Sequence, residues 1–534
     1  MSEPREDGLI ETRGTGGLVR SVFATGGMTL ISRITGFARD ILLARLLGTT
    51  ALADAFFVAF RIPSFFRRIF GEGAFSQAFV PVFSGYLQKP GSASEDEART
   101  FADHMAGAFL LVLLAVTALG VLAAPAIIFV LAPGFLSQPA KYQLAVTLLR
   151  ITFPYLLFIS LVAMAAGMLN ARGRFAAAAF TPVLLNLSLI LAAGVIAPHT
   201  NEPAVIVAWG VFGGGVLQLV FQIPFLLRER LLPRFRVSFR HPGVRRVFRL
   251  MVPGLFGSSI AQINLVVDTV LASFLVTGSI SWLYYANRLL EFPLGIFGVA
   301  LGTVILPHLA GKHTRASMSE FAATLDWALR WVIVIAVPAA AALIVLSMPI
   351  IVTLYRYGAF SAQAAVQTHW VLIAFALGLP AFVLIKVLAP GFYARQDTRT
   401  PVKIGSIALV ANMVFNGILI WPLAAAGLAL ATTLSGLLNA WLLYRGLRRD
   451  AVYRPHPGWR RLTIQVGLAS AVMVLILMPA ARESAFFLRA PGWERALVLA
   501  GCIIAGLAVY SSAMWIMGVR PRALRYRVAE GNEE

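Results

Sequence analysis

Cysteine is almost absent: Cys502 is the only one in 534 residues, and it lies in an apolar run. A lone thiol excludes an intramolecular disulfide and a thiolate metal site, and with them thiol redox chemistry. Charge is scarce as well, at 13% of residues against roughly 25% in ordinary globular chains. The seven histidines (His104, His199, His241, His308, His313, His369 and His456) are scattered without ligand spacing, and no glycine-rich loop ending in Lys-Ser/Thr is present to cradle a nucleotide. ATPase and metalloenzyme classes fall away, so any transport must draw on an ion gradient, the membrane potential or the substrate's own gradient. Residues 1–17 lack a short apolar core followed by a small-residue cleavage site, and they read as a cytoplasmic tail, not a signal peptide.

What is abundant is apolar surface. Hydrophobic residues make up 59% of the chain and the mean hydropathy is +0.79. Apolar stretches of about 20 residues recur along its length, as a hydrocarbon layer about 30 Å thick requires. The predicted class is therefore an all-α polytopic membrane protein. A net charge of +21 would suggest nucleic acid as the partner of a soluble chain. Here about 29 of the 45 Lys and Arg fall in alternate loops or termini, about 5 in the opposite set and about 11 inside predicted spans. That asymmetry sets topology, and no nucleic-acid partner is expected.

Turn and charge clusters divide the apolar runs into about 14 segments, which puts both termini on one side of the membrane. The basic loops 228–249, 395–403 and 445–461 and the tail 520–527 then face the cytoplasm, while 48–51, 276–281 and 421–423 face outward. A repeat at a shift of roughly 220 to 228 residues organises the segments. Asp40-Ile-Leu-Leu-Ala44 is echoed by Asp268-Thr-Val-Leu-Ala272, Phe79-Val-Pro81 with Gly85 by Ile305-Leu-Pro307 with Gly311, and Thr181-Pro182-Val183 by Thr400-Pro401-Val402. Each copy holds six helices, so the two insert with the same orientation, related by a pseudo-two-fold axis along the membrane normal, and should enclose a midplane cavity. The expected organisation is a tail over 1–19, a first lobe over 20–227 and a basic linker over 228–243. A second lobe follows over 244–447, then two extra helices within 448–518 and a cytoplasmic tail over 519–534.

Arginines inside the spans carry the chemistry. The first segment holds Arg33, Arg39, Asp40 and Arg45 in an apolar context. A mid-bilayer arginine costs about 2.5 to 3.5 kcal/mol, so such residues face water or a partner. In the second segment Asp54, Arg61 and Arg68 recur every seven residues, Glu72 lies four beyond Arg68, and Arg67 points elsewhere. Pro63 removes a mid-span hydrogen bond there. Further on, Asn287, Arg288 and Glu291 precede Pro293, and Lys386 is expected to be a further buried cation. Guanidinium forks suit phosphate or pyrophosphate, so the cavity should bind an anion. The alternatives are snorkelling, an ion pair of the first-segment arginines with Asp40, and Arg67 and Arg68 as an anchor at the cytoplasmic end of their helix.

Four strings, Ser32-Arg-Ile-Thr-Gly-Phe-Ala-Arg-Asp40, Asp54-Ala-Phe-Phe-Val-Ala-Phe60, Arg67-Arg-Ile-Phe-Gly-Glu-Gly-Ala-Phe-Ser-Gln-Ala-Phe-Val-Pro81 and Lys386-Val-Leu-Ala-Pro-Gly-Phe-Tyr-Ala-Arg-Gln-Asp397, resemble the MurJ (MviN) lipid II flippases of the multidrug/oligosaccharidyl-lipid/polysaccharide exporter superfamily. The resemblance covers nearly the whole chain. It implies alternating access, no catalysis, a bacterial inner-membrane location, and lipid II (the undecaprenyl-pyrophosphate-linked disaccharide-pentapeptide) as cargo. Membrane lipids and the cell-wall synthesis machinery are the further partners it suggests. It implies that Arg33, Arg39, Arg67 and Arg288 meet the headgroup, with Lys386 a further cation there. Asp40, Asp54, Glu72 and Glu291, with Arg68, would be gate or pairing residues. The two extra helices resemble a groove for the polyprenyl tail; simple packing on the second lobe is the other reading.

Asn287 stands where some relatives carry Asp, which removes an ion pair. Asp268 matches a carboxylate with which some members bind Na⁺, and Asn412, Asn416 and Thr432 could add oxygens, although Asn416 replaces a second acid. A plain polar contact between helices is the alternative. No other cofactor is implied. A drug or cation antiporter of the same superfamily would need acids in place of this arginine excess. A scaffold would lack a charged cavity, and a glycosyltransferase would need acidic outer loops, whereas these are short and nearly free of carboxylates.

Overall fold

The computed structural model describes residues 15–71, 74–88, 94–310, 318–395, 397–450 and 452–519. Glu72, Gly311 and the extreme tails lie outside the described residues, as does the side chain of Arg68. Among the described residues the architecture is helical throughout, without a strand. In chain order the helices are α1 (Thr15–Leu47), α2 (Ala51–Gly71), α3 (Ala74–Leu87), α4 (Ser94–Leu122), α5 (Ala124–Leu131), α6 (Pro139–Thr152), α7 (Tyr155–Ala171), α8 (Phe175–Leu191), α9 (Pro203–Arg228) and α10 (Pro242–Ser273). They continue as α11 (Ser279–Ala310), α12 (Met318–Val345), α13 (Ser347–Tyr355), α14 (Ala362–Ala376), α15 (Leu379–Tyr393), α16 (Arg399–Arg449), α17 (Trp459–Arg482), α18 (Ser484–Arg489) and α19 (Gly492–Ile516).

Nine helical stretches among the described residues are long and apolar enough to cross a bilayer, so the chain is a multi-pass membrane protein. Prolines set the breaks within apolar runs, because the ring removes an N–H and clashes with the preceding turn. Pro154 separates α6 from α7, Pro380 opens α15 after α14, and Pro125 opens α5 after α4. The 51 residues of α16 are two helices that meet at Ala424 (φ 48, ψ −124), just beyond Pro422, where an outward turn is expected at 421–423.

Contacts divide the chain into two compact units. Unit 1 comprises 1–46, 58–130 and 138–262; unit 2 comprises 47–57, 131–137 and 263–534.

Unit 1 is cored by aromatic side chains of α3 and α4. Phe75 stacks on Phe79 at 5.3 Å and on Phe109 at 4.4 Å, and Met105, Met164, Met168 and Val244 close around them. The basic linker is bound to α4, not loose. Asp103 accepts the Arg234 N–H at Oδ1 (2.7 Å) and the Arg236 N–H at its carbonyl (3.2 Å), and Arg99 Nε donates to the Arg230 carbonyl at 2.9 Å. Gly107 permits this approach: a Cβ there would lie 2.3 Å from the Arg236 carbonyl oxygen. His104 and His241 stack at 5.3 Å beside the linker's end. Burial, and then the neighbouring His104, hold the His241 imidazole below its ordinary pKa.

In unit 2 the helices α17 and α19 are fastened to α12 and α13 near both ends. Asp326 on α12, only 4% exposed, accepts from Tyr453 Oη (2.7 Å), Trp459 Nε1 (2.7 Å) and His456 N (3.2 Å) at Oδ1, and from Arg330 Nε (2.7 Å) at Oδ2. Burial and the bond to Asp326 push the Tyr453 phenol up, so it remains a donor. Farther along, Arg495 Nη1 donates to the Val352 carbonyl at 3.1 Å, which also accepts the Arg356 N–H, and Arg356 Nη1 donates to the Leu488 carbonyl. Between these ends lie two apolar clusters, one around Val334, Val466 and Met514 and the other around Leu346, Met473 and Leu499.

Candidate anion-binding and cation-binding sites

Helix α1 brings Arg39 into the interior of unit 1, where it is only 6% exposed. Its Nε and Nη2 donate to Asp40 Oδ1 at 3.0 and 2.7 Å, and Nη1 donates to Asn186 Oδ1 on α8 at 2.9 Å. Asn186 in turn donates to the Ser32 carbonyl (3.0 Å) and to Thr35 Oγ1 (3.2 Å). Gly36 lets α8 come this close, since a Cβ at that position would sit 3.3 Å from Asn186 Nδ2. The guanidinium is thus fixed in plane with its charge neutralised by Asp40, as a charge removed from water requires. Arg33 on the same helix is exposed, and Arg67 on α2 is half-buried.

In unit 2, Arg288 on α11 donates through Nη1 to Glu291 Oε2 at 2.6 Å, and Asn287 Nδ2 donates to Glu291 Oε1 at 3.2 Å. Asn287 therefore serves as a second donor to the carboxylate. The Arg288 side chain is 30% exposed, so its charge still meets solvent, and Lys386 on α15, expected to be buried, is exposed, as an ammonium that keeps its hydration prefers.

Asp54 caps a helix. At 1% exposure it accepts from Gly278 N (2.8 Å) at Oδ2, and from Ser281 N (3.1 Å) and Ser281 Oγ (2.6 Å) at Oδ1. These are donors at the first turn of α11, where a carboxylate satisfies unpaired N–H groups and meets the positive end of the helix dipole. Phe57 stacks on Tyr284 at 3.9 Å, and Tyr285 Oη donates to the Gly48 carbonyl at 3.2 Å.

The four residues considered for Na⁺ lie together as a hydrogen-bonded contact between helices. Asn416 Nδ2 donates to Asp268 Oδ1 (2.9 Å) and to Asn412 Oδ1 (3.0 Å), while Thr432 Oγ1 lies 3.5 Å from both Asp268 Oδ2 and Asn412 Nδ2. Asn412 and Asn416 are fully buried, and Asn416 Oδ1 has no hydrogen-bond partner. In this arrangement the Asn416 amide turns its nitrogen to Asp268, and a cation would need the amide turned over to present Oδ1. Among the described residues no group of three His, Cys, Asp or Glu could hold a metal.

Sequence reasoning missed Asn186, Asp326 and a buried network in unit 1. There Gln218 bonds the Thr181 carbonyl (3.0 Å), Gln222 bonds Thr181 Oγ1 (3.0 Å), and Tyr155 Oη donates to Gln218 Oε1 (3.2 Å). Each is a polar residue in an apolar run, a signal that was present in the sequence.

A family model described as "Lipid II flippase MurJ" matches residues 43–494. The chain is 44% identical over 515 residues to the probable lipid II flippase MurJ of Vibrio cholerae serotype O1, covering 95% of this chain and 98% of that one. It is 40% identical over 515 residues to the lipid II flippase MurJ of Burkholderia cenocepacia, covering 96% and 99%. A solved structure titled "Lipid II flippase MurJ, inward closed conformation" superposes with a TM-score of 0.77 at 28% identity, over 92% of this chain and 98% of that one. An inward-facing multidrug resistance MATE family transporter of the MOP superfamily shares the fold at 15% identity, with a TM-score of 0.64 over 80% and 98%.

Proposed function

The chain belongs to the lipid II flippase MurJ family, and from that premise we propose how its own residues move the cargo. It is a lipid II flippase, a member of a transporter family and not of an enzyme family. In our reading it carries the undecaprenyl-pyrophosphate-linked precursor from the cytoplasmic to the periplasmic leaflet of the bacterial inner membrane by alternating access, with both termini cytoplasmic. Arg33, Arg39 and Arg67 of unit 1, and Arg288 and Lys386 of unit 2, meet the anionic headgroup during the cycle. Glu72 and Arg68 remain pairing residues in this proposal. The pair α17 and α19 carries the prenyl tail. Membrane lipids and the cell-wall synthesis machinery are the further partners.

The observation that carries the site is the buried guanidinium of Arg39, aimed by Asp40 and Asn186. A pyrophosphate offers planar pairs of oxygens with more charge than one carboxylate, so it competes with Asp40 for the fork. Glu291 plays the same part at Arg288. Asp268, with Asn412, Asn416 and Thr432, would hold Na⁺, which would supply a gradient to drive the cycle; without it the membrane potential acts on the cavity charges. Depletion of the protein in cells should trap lipid II on the cytoplasmic leaflet. An unchanged leaflet distribution would sink the proposal.

A further inference from the structure

Arg495 is a buried charge without a counter-ion. It stands in the first turn of α19, is only 8% exposed, and makes no ion pair among the described residues. Its contacts are neutral: Nη1 donates to the Val352 carbonyl at 3.1 Å, and Cζ lies 5.1 Å from the centre of the Tyr357 ring. Nε has no hydrogen-bond partner. A guanidinium taken out of water needs an anion and full hydrogen bonding to offset its lost hydration.

The helix adds to the imbalance. The N-terminus of a helix is the positive end of its dipole, and its first N–H groups have no partner inside the helix. Pro491 precedes α19 without a side-chain capping bond. Arg356 brings a second guanidinium, whose Nη1 donates to the Leu488 carbonyl, while its N–H shares the Val352 carbonyl with Arg495. Glu494 is the only acid in the turn, and among the described residues it pairs with neither arginine. Tyr357 gathers these groups at one place. A Cβ on Gly492 would lie 2.7 Å from its Oη, which donates to the Thr353 carbonyl at 2.9 Å, so the ring under Arg495 also abuts the start of α19. Helical side chains lean toward the N-terminus of their own helix, which aims Arg495 the same way. Thr353 Oγ1 is likewise buried without a partner.

We infer that the start of α19 is an anion site that takes a phosphate oxyanion, held by Arg495 and Arg356 together with the N–H groups of the first turn. Guanidinium forks beside a helix N-terminus are the arrangement that phosphate fits. The loop 356–361 lies against Gly48, in a loop that the charge asymmetry places outside, so the site belongs to the outer surface. Trp493, 65% exposed beside it, is a residue type that settles at headgroup level. Two sources supply the oxyanion there, the phosphodiester of a glycerophospholipid and free phosphate. None of these residues belongs to the headgroup or cation sites above, and the inference does not depend on the cargo.

The test uses the full chain, stripped of lipid in a neutral detergent. It is titrated with potassium phosphate against potassium chloride at matched ionic strength, and separately with dioleoylphosphatidylglycerol against dioleoylglycerol, which lacks the phosphate. Melting temperature and hydrogen exchange over 353–357 and 488–495 are read. We expect slowed exchange in both segments and a raised melting temperature. A response to the lipid alone identifies a membrane headgroup, a response to phosphate alone a soluble anion, and a response to both shows that the phosphate group suffices. R495Q should abolish the response, R356Q should weaken affinity about tenfold for one lost charge-assisted contact, and E494Q should strengthen it. No response to either ligand in the parent, or a parental response in R495Q, would overturn the site. If R495Q melts too early to be titrated, R356Q and E494Q decide, and parental affinity in both overturns it.

Discussion

Arg39 Nη1 donates to Asn186 Oδ1 at 2.9 Å, joining α1 to α8 across 147 residues of chain. The bond fixes the plane of the guanidinium, while Asp40 alone would leave it free to swing. Arg39→Ala and Arg288→Ala should each abolish flipping with the protein still inserted, and lysine should rescue only in part, since it keeps charge but loses the fork. Asn186→Ala should leave partial activity, reduced about tenfold for a hydrogen bond to a charged group. Complementation by Arg39→Ala at normal expression, or full activity of Arg39→Lys, would contradict this role.

Asp54 was legible as a carboxylate in a membrane helix, but its partners were not. They stand 224 and 227 residues away at the start of α11, and only the fold brings Gly278 and Ser281 to it. Apolar runs and prolines marked the helices because both act locally, through burial and through a missing N–H. Asn186 and Asp326 each stand as a polar residue in an apolar run, a pattern that flags importance without naming a partner. Asp54→Asn should lower the melting free energy by about 1 kcal/mol, the scale of a lost cap with its dipole interaction. Ser281→Ala should cost less, because it removes one of three donors. Equal melting of Asp54→Asn and parent would refute the cap.

Asp326→Asn should loosen α17 and α19 from α12 by about 2 kcal/mol, because the Arg330 bond loses its charge and one acceptor becomes a donor. Hydrogen exchange should rise in 453–466 and remain unchanged in unit 1. Uniform protection in the variant would show that the apolar clusters suffice.

Stability should also depend on pH through His241. Its folded pKa lies below the ordinary 6.5, so the unfolded chain takes up the proton first as pH falls. The His241 contribution is fully present above about 6.5 and is lost as pH falls from there through the folded value. A melting series from pH 8 to pH 5 should show the parent losing stability faster than His241→Gln. Parallel curves would remove the linker stack from the account.

Loop-charge asymmetry predicts which cysteines an impermeant thiol reagent can reach from outside once Cys502 is replaced by Ser. Gly48 is a poor reporter, since its φ is +60° and a Cβ would lie 2.2 Å from the Ala359 carbonyl oxygen. Thr277→Cys and Trp421→Cys should react, the latter at a position 86% exposed, whereas Arg236→Cys and Arg399→Cys should not. The reverse pattern would invert the topology.

Asn416 Oδ1 is buried without a partner while its Nδ2 donates to the Asp268 carboxylate, so turning the amide over would offer a cation an unused acceptor. A ligand that binds only the folded state stabilises it by RT ln(1 + [L]/Kd), about 2.7 kcal/mol at a hundredfold excess over Kd. Na⁺ should therefore raise the melting temperature of the detergent-solubilised protein more than K⁺ does at constant ionic strength. With a single carboxylate the affinity should be weak, which calls for a wide Na⁺ range. Asp268→Asn should erase the difference, because four neutral oxygens hold a bare charge poorly. Asn416→Asp should enlarge it and shift its midpoint to lower Na⁺, because a second charge joins the same set. Equal melting in Na⁺ and K⁺ across the range, in the parent and in Asn416→Asp alike, would reduce these residues to a polar contact between helices. Lipid II flipping could then run on the membrane potential, at about 2.3 kcal/mol per charge per 100 mV, or on the substrate's own gradient.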